Sequence, residues 1–572
     1  MTSGKRKKVL IQTDFSLAKT GFGRNAKAIL TYLYSLDKYD LVHYCCGRIE
    51  DDPDLSRTPW KSIGTIPTDP FELDDINKIK NGSKMASYGF TRLDKVVYEE
   101  KPDVYIAIQD IWGIDFAASK PWFKKITSAF WTTLDSLPLM PETIEIVKKV
   151  KNFWVWSHFA EEELHRLGHA HVKTFHGPLE SKYFFNMKEE DKKNIRKSFR
   201  IPEETFVLGF VFRNQLRKSV PNLLKGYKIW KEKYEPKRPT AILLHTSFSE
   251  GWDILERAEE LGVDKKEILC TYVCSQCGNY EVNNFLGEKA PCPFCNKKDG
   301  LSTASPRNGV TEEQLNEIYN LMNVYVHPFT SGGQEIPIQE AKLTELITLV
   351  TNYSCGTDMC VPEAFSYPLD WAEYREPDTE FIKASTYPES IAEGLHGVYS
   401  LPKDEKSKRE KMARDWTLEN YSVESIGKTL EEFIDEAPLT KYKFSQKQER
   451  KKINIEDSLS KEDKGKRILY VMPGTERDVF LSTSLFKSIR EQYPEYNLYV
   501  ATEKVFFSML DANPYVHKVI QYSDQMENIF WLEGRGTHKG YFEIAFLPHI
   551  NTQKIINFTH NGKTKIAYDL KK

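Results

Sequence analysis

FVLGFVFRNQLRKSVPNLLKGY, residues 206–227, decides the fold. The unbroken apolar run from Phe206 to Phe212 has the length of a buried strand. A polar loop carrying Arg213 and Lys218 follows, and Leu223, Leu224 and Tyr227 then recur at helical spacing. A strand that passes through a short loop into a helix is half of a βαβ unit, and such units build parallel sheets. The same order recurs on either side. Upstream, KKVLIQTDF leads into KTGFGRNAKAILTYLYSL, where Gly21 and Gly23 open an amphipathic helix. DLVHYCCG, DVYIAIQD, SAFWTTLD, NFWVWS and HVKTFHG supply further strands, and TAILLHTSF, EILCTYV and NVYVHPF continue the series downstream.

These repeats predict a first α/β domain over residues 1–200 and a second over 201–436, closing on the helix WTLENYSVESIGKTLEEFIDEA with Ile426, Leu430 and Phe433 on its apolar face. Residues 437–466 are rich in Lys and Arg with few large apolar side chains, and read as a linker. RILYVMPG, NLYVATE, KVIQY and FEIAFLP then predict a third, smaller α/β domain over 467–572. At 572 residues the chain exceeds what one core serves. With 80 Lys and Arg against 82 Asp and Glu, the net charge of −2 excludes global polyanion binding. No apolar run approaches the roughly 18 residues that span a bilayer, so neither membrane spanning nor a signal peptide is expected. Nine cysteines without a disulfide framework point to a reducing cytoplasm.

Four of those cysteines form two Cys-x-x-Cys pairs, Cys274 with Cys277 and Cys292 with Cys295, a spacing that suits tetrahedral zinc. Gly278 and Asn296 follow the two knuckles, where a positive φ relieves the turn around a metal. A closed set of four thiolates predicts a structural ion in a ribbon over residues 270–300. The ribbon follows EILCTYV and precedes TEEQLNEIYNLM, a helix with a Thr311/Gln314 capping box, so it is an insertion after a sheet strand, on the side where open parallel sheets bind ligands.

Arg213 and Lys218, set beside a helix start, suit a diphosphate. In VYVHPFTSGGQEIPIQEAK a strand ends at His327, the loop Gly332, Gly333, Gln334 and Glu335 offers amides and a carboxylate, and Pro337 opens a helix that carries Glu340. Glu340 could accept hydrogen bonds from a ribose diol.

Taken in order, TGFGRNAKAIL, KPDVYIAIQD, WSHFAEEEL, HGPLESKYF, RNQLRKSVPNLLKGY, NVYVHPF, GGQEIPIQEA and WTLENYS resemble a group 1 (family 4) glycosyltransferase over about residues 7–437. The resemblance implies a GT-B fold: two Rossmann-like domains across a cleft, a nucleotide sugar held mainly by the second and the acceptor by the first. It also implies a C-terminal helix that crosses back onto the first domain. Arg213 and Lys218 match the family's phosphate-clamping pair, Gly21 and Gly23 its phosphate-facing loop, and Glu340 the second of its paired glutamates. The first of that pair should stand eight residues earlier, where this chain has Gly332. Three readings follow in order: the donor sugar differs, Glu335 substitutes, or activity is lost. Residues 467–572 resemble half of a heptosyltransferase-like (family 9) enzyme, with Asp478 at the place of a loop acid.

The resemblance implies a hexosyl- or pentosyltransferase that retains anomeric configuration, with fixed cations rather than a catalytic divalent metal stabilising the departing diphosphate. Asp110, Asp135, His158 and His176 are candidate acceptor contacts. The extra modules suggest a large acceptor: modified DNA bases, of the kind glycosylated by some bacteriophage enzymes, surface polysaccharide or protein. The rival reading is a nonenzymatic nucleic-acid or protein-binding scaffold, favoured by Gly332 and opposed by the Arg213 and Lys218 pair.

Overall fold

The structure is a computed structural model that describes residues 6–444, 455–459, 463, 465–535 and 539–549. It divides into two compact units, Met1–Phe444 and Ser445–Lys572.

In the first unit, the amino-terminal lobe is built on β1 (Lys7–Asp14), β2 (Tyr39–Ile49), β3 (Lys61–Ile66), β4 (Val104–Ile108), β5 (Thr127–Thr132), β6 (Asn152–Val155) and β7 (Lys173–Thr174). They form one parallel sheet in the order β3-β2-β1-β4-β5-β6-β7. The alternation of side chains along β1 shows why both faces are covered. Val9 and Ile11 are buried with Ala26, Ile29 and Leu33 of the helix Gly21–Ser35, while Leu10 points to the opposite face and joins Leu93, Val97 and Trp122.

The second lobe repeats the plan with β8 (Phe206–Val211), β9 (Thr240–His245), β10 (Ile268–Cys274), β11 (Tyr280–Asn283), β12 (Leu301–Thr303), β13 (Val324–His327), β14 (Thr348–Thr351) and β15 (Tyr367–Leu369). Its order is β11-β10-β9-β8-β13-β14-β15. Strands β11 and β12 pair antiparallel with β10, so the cysteine-bearing insertion that follows this strand adds to the edge of the sheet. A hairpin of β16 (Trp371–Arg375) and β17 (Ile382–Thr386) completes the lobe.

The helix Val423–Glu436 ends the second-lobe segment but buries Ile426, Leu430 and Ile434 in the first lobe, among Val9, Ile29 and Leu33. Phe433, expected on the inner face, flanks it instead, edge-on to Trp154. Gly427 lies so close to Tyr32 that a Cβ there would sit 2.7 Å from the ring. Asp435 accepts hydrogen bonds from Lys38 (2.6 Å) and Tyr39 (2.7 Å) of the first lobe. The chain beyond it, read as the start of a linker, docks on the same lobe: the Thr440 amide donates to Asp103 (2.9 Å), and Tyr442 and Phe444 pack against the core. Most of the remaining linker lies outside the described residues.

In the second unit, β18 (Lys466–Val471), β19 (Tyr496–Thr502), β20 (Lys518–Gln521) and β21 (Ile544–Phe546) form a parallel sheet in the order β20-β19-β18-β21. Asp478, read as a loop acid, serves instead as the third residue of a capping box on the helix Glu476–Gln492, accepting from the Thr475 amide (2.9 Å) and hydroxyl (2.8 Å). Among the described residues no helix is long and apolar enough to cross a membrane.

Candidate active site

In each of the two large sheets of the first unit the strand order reverses once, between β1 and β4 and between β8 and β13. Crevices beyond the carboxyl ends of strands at such switch points are where open α/β sheets take ligands. Here two of them face each other, because β1 runs into the glycine loop and β8 runs into Arg213. Between them lies a cavity of about 430 Å³ lined by both lobes, including Lys19, Gly21, Arg24 and Lys27 from the first and Arg213, His245, Glu250 and Glu312 from the second.

Thr20 shapes the first-lobe wall. Its hydroxyl accepts from the Gly23 amide (3.0 Å), capping the helix, and donates to Asp14 (2.6 Å) at the end of β1. Gly21 lines the cavity, whereas Gly23 lies inside the loop, where a Cβ would meet the Ala18 carbonyl oxygen at 2.5 Å. The basic groups reach across the cleft. Lys27 pairs with Glu312 (2.8 Å), Lys19 donates to the Gly309 carbonyl (2.7 Å), and Arg24 pairs with Glu340. Arg213 keeps a 57% exposed side chain, and its ion pair is a loose one to Glu250 at 3.6 Å.

The structure separates the expected diphosphate pair. Arg213 faces the cavity, but Lys218 is buried and forms an ion pair with Glu335. Arg217, which stands between them in sequence, takes the other oxygen of the same carboxylate at 2.7 Å and donates to the Ser331 carbonyl at 3.2 Å. His327 completes the cluster, 3.1 Å from Glu335. Burial opposes the charge on Glu335, yet Lys218, Arg217 and His327 outweigh it and hold the carboxyl well below its usual range. Burial and the neighbouring Arg217 push Lys218 down to about 8, against the pull of Glu335. Burial lowers His327 to about 4, so its ring is neutral at physiological pH.

The reason Gly332 is tolerated lies in the same cluster. A Cβ built on Gly332 would stand 2.4 Å from Glu335 Oε1. The Glu335 carboxylate therefore occupies the space into which a glutamate at position 332 would begin to project. Gly333 abuts Thr133 of the first lobe, and the Gln334 amide exchanges two hydrogen bonds of 2.7 Å with the backbone of Gly177. These loop residues hold the lobes together.

Glu340 is fully buried, and Tyr319 donates to it at 2.8 Å. Burial raises its pKa, with Arg24 opposing. The carboxylate expected for a ribose is thus engaged by a first-lobe guanidinium. Asp110 accepts from Thr133 (2.8 Å) and Asp135 from Ser136 (2.9 Å). His158 and His176 meet Asp358 of the second lobe, apart from the cavity lining. Sequence reasoning passed over Lys19, Arg24, Lys27 and Arg217. Arg24 and Lys27 lie along one face of the helix that the glycine loop opens, a spacing that could have flagged them.

The cysteine ribbon has the expected form. Cys274 and Cys295 sulfurs lie 3.6 Å apart and Cys277 and Cys292 sulfurs 3.7 Å apart, with all four within 4.8 Å of one another. Tetrahedral zinc with bonds of about 2.3 Å to sulfur needs edges of about 3.8 Å, which this set fits. Gly278 (φ 73°) and Asn296 (φ 61°) take the left-handed turns expected of them. The ribbon leads directly into the segment Ala304–Glu312 that lines the cavity, and Gln314 donates to the Gly278 carbonyl (3.1 Å).

No family model and no curated protein matches this chain in sequence. Solved structures do match in shape. A glycosyltransferase from Rickettsia africae aligns with a TM-score of 0.51 at 14% identity, covering 76% of this chain and 99% of its own. Sucrose-phosphate synthase from Thermosynechococcus elongatus gives 0.51 at 12% identity over 75% of this chain and 98% of its own. Anabaena HepE, solved in complex with UDP, gives 0.51 at 10% identity over 75% of this chain and all of its own. At these identities the likeness is one of fold. The first unit has the GT-B architecture, two Rossmann-like lobes around a cleft.

Proposed function

We propose that the protein is a retaining glycosyltransferase that moves a hexose or pentose from a nucleoside diphosphate sugar to a large acceptor. One observation carries the reading: a cavity between two Rossmann-like lobes, ringed by Lys19, Arg24, Lys27 and Arg213, with a capped glycine loop on one side. Such a site suits a diphosphate because cations and helix-start amides act on the same anion. The likeness in fold to HepE, whose structure holds UDP, supports it.

Glycosyl transfer builds positive charge at the anomeric carbon and negative charge on the departing diphosphate. Arg213, exposed and loosely paired, is free to meet the leaving group, and Gly21 lines the same cavity from the other lobe. Fixed charges of this kind stabilise the transition state without reorganising. Lys218 and Arg217 act from behind through Glu335, which takes the place of the absent glutamate at 332 and orients the sugar. Attack then occurs on the face the diphosphate leaves, with a phosphate oxygen taking the acceptor proton. The ribbon cysteines hold zinc that braces the cavity wall, and the second unit serves acceptor binding or assembly.

The engagement of Lys218 and Glu340 by side chains of this chain favours the scaffold reading. One experiment decides. The protein is incubated with each common nucleotide sugar, and nucleoside diphosphate release is measured beside Arg213→Ala. Release abolished by the variant supports the enzyme; no release and no donor-dependent thermal shift supports the scaffold. Transfer from labelled donor to duplex DNA, polysaccharide or protein then assigns the acceptor.

A further inference from the structure

His158 begins the helix His158–Arg166, His176 follows β7, and Asp358 lies in the turn of helix Gly356–Met359 that follows β14 of the other lobe. The three side chains converge across the lobe boundary. His176 Nε2 lies 3.1 Å from Asp358 Oδ2 and His158 Nδ1 lies 3.4 Å from the same atom. One ligand atom from each residue falls within 4.8 Å of the others. A tetrahedral ion with bonds of about 2.0–2.1 Å to nitrogen and oxygen has ligand edges of about 3.3 Å, and the two observed edges straddle that value.

The surroundings are those of a held site. Asp358 is buried, and its Oδ2 accepts from the His158 main-chain amide at 3.0 Å, which fixes the carboxylate. The His176 ring rests on the buried Tyr421 at a centroid distance of 4.4 Å. The His158 side chain is 58% exposed, leaving one side open to solvent for entry of an ion and for a water ligand. Two imidazoles and one carboxylate form a borderline donor set that suits zinc and its neighbours better than magnesium or calcium.

We propose that His158, His176 and Asp358 form a second divalent-metal site, of the zinc class, which pins the first lobe to the second. It is separate from the cysteine ribbon and from the cavity, and it does not depend on the glycosyl-transfer reading. Because its ligands come from both lobes, an ion bound there favours the closed arrangement over any opened one by its differential affinity.

Untagged full-length protein is stripped with a chelator, reloaded with Zn²⁺ or Co²⁺, desalted and its metal counted by mass spectrometry. His158→Ala, whose side chain is exposed, and the isosteric Asp358→Asn are compared with the wild type, with circular dichroism as the folding control. Each variant is expected to hold one metal equivalent fewer, and the cobalt spectrum lost with it should lack thiolate charge transfer. Zinc should also slow hydrogen exchange around residues 174–179 in the wild type and not in His158→Ala. Equal metal content in the wild type and both variants overturns the proposal and leaves a hydrogen-bonded cluster in its place.

Discussion

Arg24 of the first lobe and Glu340 of the second form an ion pair whose carboxylate is fully buried. A buried charge that loses its partner costs far more than a surface pair is worth, roughly 3–5 kcal/mol. Arg24→Ala should therefore lower the unfolding free energy by about 3 kcal/mol, read by denaturant titration, and Arg24→Ala with Glu340→Gln should recover most of it. A single variant as stable as the wild type would show that the pair does not hold the lobes.

Arg213 offers the opposite case, since it is exposed and paired at 3.6 Å. Truncating such a group changes stability by less than about 1 kcal/mol. Arg213→Ala should keep the wild-type Tm while its kcat/KM for donor hydrolysis falls on the order of 100-fold. A matched fall in Tm would assign the loss to folding.

Burial and Arg217 push the Lys218 amine down to about 8. In the proposed site its charge holds Glu335, which orients the sugar, so nucleotide-sugar affinity should weaken as pH rises through about 8, and in Lys218→Met this step should be absent. The stability link has a defined sign. An amine whose folded pKa lies below its unfolded value opposes folding while charged in both states, and the penalty fades between about pH 8 and the ordinary lysine value near 10.5. The stability of the wild type relative to Lys218→Met should rise over that window.

Gly332 and Glu335 compete for one space, since a Cβ at position 332 would come within 2.4 Å of the Glu335 carboxylate. Gly332→Glu should destabilise the chain by about 1–3 kcal/mol through overpacking. Gly332→Glu with Glu335→Gly should relieve the clash, and donor hydrolysis by the double variant measures whether the carboxylate can act from either position.

Stripping metal from the ribbon should loosen the wall that begins at Ala304, because β12 and the capping box of the next helix both rest on it. Hydrogen exchange over residues 301–314 should accelerate on chelation and return with zinc. Unchanged exchange would make the thiols a bystander to the cavity.

Much of the architecture was legible because its signals are local. Apolar runs such as Val9–Ile11 and Phe206–Phe212, alternating with helix-periodic segments, signal buried strands of a parallel sheet, and the cysteine spacing carries its own geometry. The capping box at Thr311 and the left-handed turns at Gly278 and Asn296 follow from residues within a few positions of each other. The helix Val423–Glu436 was legible as a helix and, through a family resemblance, as one that crosses over.

For the candidate site, residue types were legible in the sequence and the partners of the charged groups were not. Periodicity and residue chemistry set the strands, the glycine loop and a supply of cations at the strand ends, since those properties act over a few residues. Whether Lys218 faces a ligand or Glu335, whether Arg24 reaches Glu340, and whether two histidines meet an aspartate far along the chain are questions of distance between lobes. Charge pairing falls off within a few ångströms and depends on burial, so those partners exist once the chain has closed on itself and are written in no single stretch of it.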